Sequence, residues 1–194
     1  MDFYDTPRSI DILRERMPNA HMHKLVKWRS PSGGYVGPID IDWVGGLPGN
    51  GMHLGEIESR GPEMSARHMI DGSERPFEGM RVDKITFRIE WPGYPHANVI
   101  YHVDVAASGR AFTKAEIAFQ VSKIFRKFCQ RAEREKQVPD IPNWKIGGPY
   151  GICFGDIILV RIVNLGDSQW QADLLIQFKK GALASAGPLT GSGR

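Results

Sequence analysis

Hydrophobic and polar residues alternate most clearly between Lys84 and Trp91. Ile85, Phe87, Ile89 and Trp91 fall on one parity, and Thr86, Arg88 and Glu90 on the other. Successive side chains of a strand point to opposite faces, so this pattern predicts a half-buried strand. Asn98 to Val105 repeats it, with Val99, Tyr101, Val103 and Val105 on one side. Between them, Pro92-Gly-Tyr-Pro-His-Ala97 is rich in turn formers, and the three segments together predict a β-hairpin with a six-residue loop.

The period then changes. Thr113-Lys-Ala-Glu116 has the spacing of a capping box, in which the threonine and glutamate each satisfy a free amide at a helix start. Ile117, Val121, Ile124, Phe125, Phe128 and Ala132 follow at helical spacing, which predicts an amphipathic helix to about Lys136, stopped by Pro139 and Pro142. Two further strands are expected over Ile157 to Val163 and Trp170 to Phe178, across a short Asn164-Leu-Gly-Asp-Ser168 turn.

The N-terminal part is less regular. Thr6-Pro7 suits a helix start, and a short helix to about Arg16 is expected, ended near Pro18. His23 to Arg29 and Tyr35 to Val44 are expected as strands; in the second, Ile39 and Ile41 alternate with Asp40 and Asp42. Nine of the 22 glycines lie between Ser30 and Gly61, a density that punctuates the chain rather than building long elements. Gly45 to Asp83 is the least regular stretch, relieved by a short helix from Pro62 to Ile70, and it carries His53, Glu56, Glu58, Arg60, Glu63, Arg67 and His68.

Two hairpins flanking one amphipathic helix predict an α+β fold. Its sheet is mainly antiparallel, one long amphipathic helix packs across a face, and a short helix stands at the N-terminus. A single domain over residues 1–180 and a flexible C-terminal tail over 181–194 (GALASAGPLTGSGR) are expected. A chain of 194 residues suits one domain and can bury roughly 70% of its unfolded surface without a metal or disulfide.

Composition narrows the function classes. Two cysteines, Cys129 and Cys153, are too few for a disulfide framework, and neither has a visible partner that would activate it, so both are expected to be inert. MDFYDTPRSIDILRER lacks the apolar run of a signal peptide, and no stretch reaches the ~20 apolar residues needed to span a bilayer. The expected location is cytoplasmic, with no membrane partner. A net charge of +3 and a pI of about 8.9 permit a polyanionic partner without demanding one.

Catalogued signatures are absent: there is no Walker loop, no G-x-S-x-G, no H-E-x-x-H and no paired C-x-x-C. Gly45-Gly-Leu-Pro-Gly-Asn-Gly51 lacks the lysine that would reach phosphates and is expected to be a plain turn. His21, His23, His53 and Glu56 are ligand types that zinc accepts, but they lack the spacing of a metal site, and no metal is expected.

The polar face of the hairpin carries more chemistry. Arg88 and Glu90 lie on one strand, with His102 and Asp104 on matching positions of its neighbour. Antiparallel pairing could bring such groups within about 5 Å of one another. Trp91, Tyr94 and Tyr101 lie close by in sequence and could stack a base. The plain alternative is an exposed sheet face with cross-strand ion pairs. Between Thr113 and Lys136, seven basic residues stand against three acidic ones. Lys123, Lys127, Arg131 and Arg134 could track a phosphate backbone, although basic residues near a helix C-terminus also complement its dipole.

The run Arg88-Ile-Glu-Trp-Pro-Gly-Tyr-Pro-His96, with the capped Thr113-Lys-Ala-Glu-Ile-Ala-Phe-Gln120 helix after it, resembles a group of small cytosolic proteins of mushroom-forming fungi. With its size and basic pI, the chain is similar to the edodin-like ribosome-inactivating proteins of that origin. The resemblance implies removal of an adenine from large-subunit rRNA, and hence a ribosome or rRNA partner. It is loose, spread over the whole chain, and carries over no catalytic residue. Plant-type ribosome-inactivating proteins place Glu and Arg three apart on a buried helix, and the long helix here has no such pair.

Three functions follow as expectations. The first is an rRNA N-glycosylase, in which Asp104 or Glu90 would face the sugar, Arg88 or His102 the departing base, and Tyr101 and Tyr94 the base plane. Glu56 and Arg60 are the reserve pair, and no cofactor is required. The second is a non-enzymatic binding module using the aromatic loop around Trp91 and Tyr94. The third is a metal-dependent ribonuclease using His21, His23 and Glu56.

Overall fold

The computed structural model describes residues 13–16, 28–29, 34–94, 99–135, 144–149, 151–166 and 168–178. The hairpin that alternation predicts is present. Strand β6 (Lys84–Ile89) pairs with β7 (Val99–Asp104) in an unbroken antiparallel register, from Lys84 opposite Asp104 to Ile89 opposite Val99. Ile85, Phe87, Ile89 and Val103 are buried, as an apolar parity should be. The second hairpin, β10 (Ile157–Gly166) and β11 (Gln169–Phe178), also runs antiparallel, with irregularities after Leu159 and Asn164.

These strands belong to one seven-stranded sheet in the order β4-β10-β11-β6-β7, where β4 is Ile39–Asp40 and β7 is an edge strand. Two short strands complete it. β1 (Leu13–Arg16) pairs with β11, and β5 (Met52–His53) with β10. Every pairing in it is antiparallel except that of β11 with β6. Two further pairs stand apart from it, β2 (Trp28–Arg29) with β3 (Tyr35–Val36), and β8 (Ala106–Ala107) with β9 (Arg110–Ala111). Leu13–Arg16 is therefore strand, where sequence placed the end of a helix. Hydrogen bonding to β11 overrides the local helical preference of Leu-Arg-Glu-Arg. The rest of that expected helix, and the tail over 181–194, lie outside the described residues.

Helix α2 (Lys114–Arg134) opens on the capping box that sequence predicts. Glu116 N–H donates to Thr113 Oγ1 at 3.2 Å, and Thr113 N–H donates to Glu116 Oε2 at 2.7 Å. The Arg110 guanidinium also donates to Glu116, and with the cap it holds that carboxyl down at about 2, against 4.5 ordinarily. A depressed folded value stabilises the native state above the unfolded value and loses that contribution as pH falls towards 2. Thr113→Ala should cost about 1 kcal/mol. Glu116→Gln should flatten stability against pH between about 4.5 and 2. Urea midpoints across that range check both.

The apolar stripe of α2 packs on the sheet. Phe125 meets Phe87 edge-on with ring centroids 6.3 Å apart, and Phe128 meets Trp91 at 5.8 Å. A second helix, α1 (Leu54–His68), lies beside α2, bound to it by an ion pair between Glu58 and Arg126. Sequence placed a helix only from Pro62. Its first half was hidden because Gly61 breaks it at φ 71°, leaving two segments too short to show a stripe. The break is tied across its buried side, where Ser65 Oγ donates to the Ile57 carbonyl at 3.3 Å. Among the described residues no helix is long and apolar enough to cross a membrane.

Candidate functional site

The hairpin's charged groups do not assemble. Register places Asp104 opposite Lys84, with 3.5 Å between their charged atoms, while Arg88 lies opposite Ile100 and pairs with Glu90 at 2.7 Å. His102 faces Thr86. Asp104 and Arg88 are thus offset by four residues, roughly 13 Å along the strands. Same parity put them on one face, but register separated them.

The expected stacking residues are structural. Trp91 and Tyr94 are buried, at 3% and 5% exposure. The Trp91 indole N–H donates to the Trp144 carbonyl at 2.8 Å, and the Tyr94 hydroxyl accepts from the Ile146 amide at 2.9 Å. Tyr101 sits on the core side of β7, half-buried, and burial raises its hydroxyl above the usual range. Lys123, Lys127, Arg131 and Arg134 do lie on the exposed face of α2. Arg131 is engaged with Glu135 at 2.7 Å, and Lys123 sits over the Phe119 ring at 5.5 Å. Burial pushes the Cys129 thiol up to about 12, so it stays protonated at neutral pH.

Glu56 and Arg60 occupy a different setting. They stand one turn apart on the first segment of α1, 3.8 Å from each other, and line a cavity of about 450 Å³. The cavity exists because two distant stretches pair. Val44 N–H donates to the His68 carbonyl at 2.7 Å, and Ile70 N–H to the Asp42 carbonyl at 2.8 Å. This clamps the glycine-rich segment 45–51 beside α1. Asp42 Oδ1 closes that segment on itself, accepting the Gly49 amide at 2.9 Å and the Gly51 amide at 3.3 Å. Those amides are therefore already engaged, and the segment is a turn.

One wall is Trp43, 48% exposed. Its indole lies on Gly46, where a Cβ would come within 2.1 Å of Nε1, so only glycine leaves the ring its place. Gly51, at φ 67°, lies against β10, where a Cβ would stand 2.5 Å from the Leu159 carbonyl oxygen. The floor is Ile158, in register with His53. His53 Nδ1 lies 2.9 Å from the Gly155 carbonyl. Only an N–H can pair with a carbonyl, so Nδ1 is the donor there and Nε2 is the nitrogen left to the cavity. His68 and Asn50 complete the rim.

An exposed aromatic plane, an imidazole anchored through Nδ1, a carboxylate and a guanidinium thus line one cavity. Such a set can hold a planar ring and manage protons beside it. Sequence had paired Glu56 with Arg60 but had singled out neither Trp43 nor Asn50. The available signal was a tryptophan two residues before the densest glycine run in the chain. His53 and Glu56 share the cavity, whereas His21 and His23 lie outside the described residues. Among the described residues, no group of three or more histidine, cysteine, aspartate or glutamate side chains is placed to hold a metal ion.

No protein-family model, no curated protein and no solved structure matches this chain.

Proposed function

We propose that the chain is an N-glycosylase acting on ribosomal RNA, removing an adenine, with its site in the α1 cavity. One observation carries this: Trp43, His53, Glu56 and Arg60 line the same cavity. The resemblance to edodin-like ribosome-inactivating proteins points the same way.

The bond to be broken joins the base nitrogen to C1′ of ribose. Its electron pair leaves with the base, and the sugar develops oxocarbenium character. Glu56 is placed to stabilise that charge and to accept a proton from the attacking water, whose oxygen bonds to C1′. Arg60 stabilises the negative charge on the departing base, which takes up a proton from solvent as it leaves, while Glu56 returns to solvent the proton it took from the attacking water. Trp43 supplies the plane on which an unstacked base rests, a contact worth about 1–3 kcal/mol. The exposed Lys123, Lys127 and Arg134 of α2 supply phosphate contacts. Binding should then weaken steeply with salt.

The test is incubation with eukaryotic ribosomes, followed by acidic aniline treatment of half of the extracted RNA. A discrete fragment only after aniline marks an abasic site and supports the proposal. Cleavage without aniline would make the chain a nuclease, and intact RNA in both halves would refute both activities. Trp43→Ala should weaken RNA binding by about tenfold or more at unchanged fold, whereas Trp43→Phe should retain most of it.

A further inference from the structure

Resting on that assignment of the cavity to a nucleobase, we infer that Asn50 is the residue that selects the base, favouring a ring edge with adjacent donor and acceptor over one with two acceptors. Asn50 lines the cavity together with Trp43. Its main chain is fixed, because its own amide donates to the Leu47 carbonyl at 3.2 Å and the amides on either side are bound by Asp42. Its side chain is half-buried, and its carboxamide has no hydrogen-bond partner among the described residues. Nothing structural in the described residues therefore uses that carboxamide.

A carboxamide presents one acceptor and one donor group side by side. That is the complement of a purine carrying a 6-amino donor next to the N7 acceptor. A 6-oxo purine presents two acceptors there, and one of them must face the amide oxygen. The other polar groups on the cavity wall do not make this distinction. Arg60 only donates, Glu56 only accepts, and the His53 and His68 rings do not carry a donor and an acceptor side by side on one edge. Because the neighbouring amides are pinned by Asp42, the carboxamide is held by a rigid turn rather than a loose one, which is what discrimination by a single side chain requires.

Adenosine and inosine share the sugar and N7 and differ at position 6 and the adjacent N1, and calorimetric titration of the full chain with each gives the readout. The wild type should bind adenosine roughly tenfold or more tightly than inosine. Asn50→Ala should bring the two affinities within about threefold by weakening adenosine alone. Asn50→Asp should weaken adenosine further, since a carboxylate repels N7. Circular dichroism and a melting curve on both variants separate lost selectivity from lost fold, and either variant suffices if the other misfolds. Equal binding of both nucleosides by the wild type, or selectivity that survives in Asn50→Ala, overturns the role of Asn50 while leaving the nucleobase cavity standing. No binding of either nucleoside by the wild type removes the nucleobase assignment itself and this inference with it.

Discussion

Glu56→Gln is expected to lower the rate of base release from ribosomes by between about 10²- and 10⁴-fold, the span a positioned acid–base group contributes. The same change should scarcely move stability. The Glu56 side chain is 54% exposed, and its ion pair with Arg60 spans 3.8 Å in an exposed i,i+4 arrangement. Pairs of that kind contribute a few tenths of a kcal/mol. Glutamine keeps the shape and loses the charge, so a lost rate with an unchanged melting curve would assign the carboxylate to chemistry. Arg60→Ala should also lose rate. Asp104→Asn and Arg88→Ala should stay within a few-fold of the parent, since the structure separates those groups along the hairpin. The yield of aniline-dependent fragment against time measures all four. If Asp104→Asn abolished the fragment and Glu56→Gln did not, the α1 cavity would not be the active site.

The elements that sequence disclosed are those whose information is local. The β6–β7 hairpin needed only parity, and α2 needed only a capping box and a stripe of six apolar residues, so both emerge within about two residues of their expected bounds. What stayed hidden depends on pairing between distant residues. Parity shows that Arg88 and Asp104 share a face, but only register shows that Lys84, not Arg88, stands opposite Asp104. The cavity wall depends on Val44 meeting His68 and on Asp42 reaching over to Gly49 and Gly51, and neither contact has a periodic signature. The first half of α1 was lost to Gly61, which interrupts the helical period just where recognition would have needed it. Glu56 and Arg60 were legible as a pair because they lie four apart, but their partner Trp43 comes from a segment thirteen residues earlier than Glu56 in the chain.

Trp91 shows how aromatic residues beside charged ones can mislead, and it carries the largest expected effect on stability. Sequence offered it as a base-stacking surface, since it follows Arg88 and Glu90 and precedes the Pro-Gly-Tyr-Pro turn. In the fold its ring is 3% exposed, wedged between Phe128 of α2 at 5.8 Å and Trp144 at 6.1 Å, and its N–H occupies the Trp144 carbonyl at 2.8 Å. It therefore joins three parts of the chain: the hairpin end, the second half of α2 and the segment around Trp144. Trp91→Ala removes a large ring and the indole donor to the Trp144 carbonyl from this junction and leaves a cavity, and should cost about 3–5 kcal/mol. Tyr94→Phe, which removes only the acceptor for the Ile146 amide, should cost about 1 kcal/mol. Urea unfolding followed by tryptophan fluorescence measures both, and enough Trp91→Ala protein should remain folded at low temperature to assay. If the folded fraction of either variant released adenine at the parental rate per folded molecule, Trp91 and Tyr94 would be confirmed as supports of the fold. A rate that fell while the folded fraction held would return them to the site and draw the chemistry back to the hairpin.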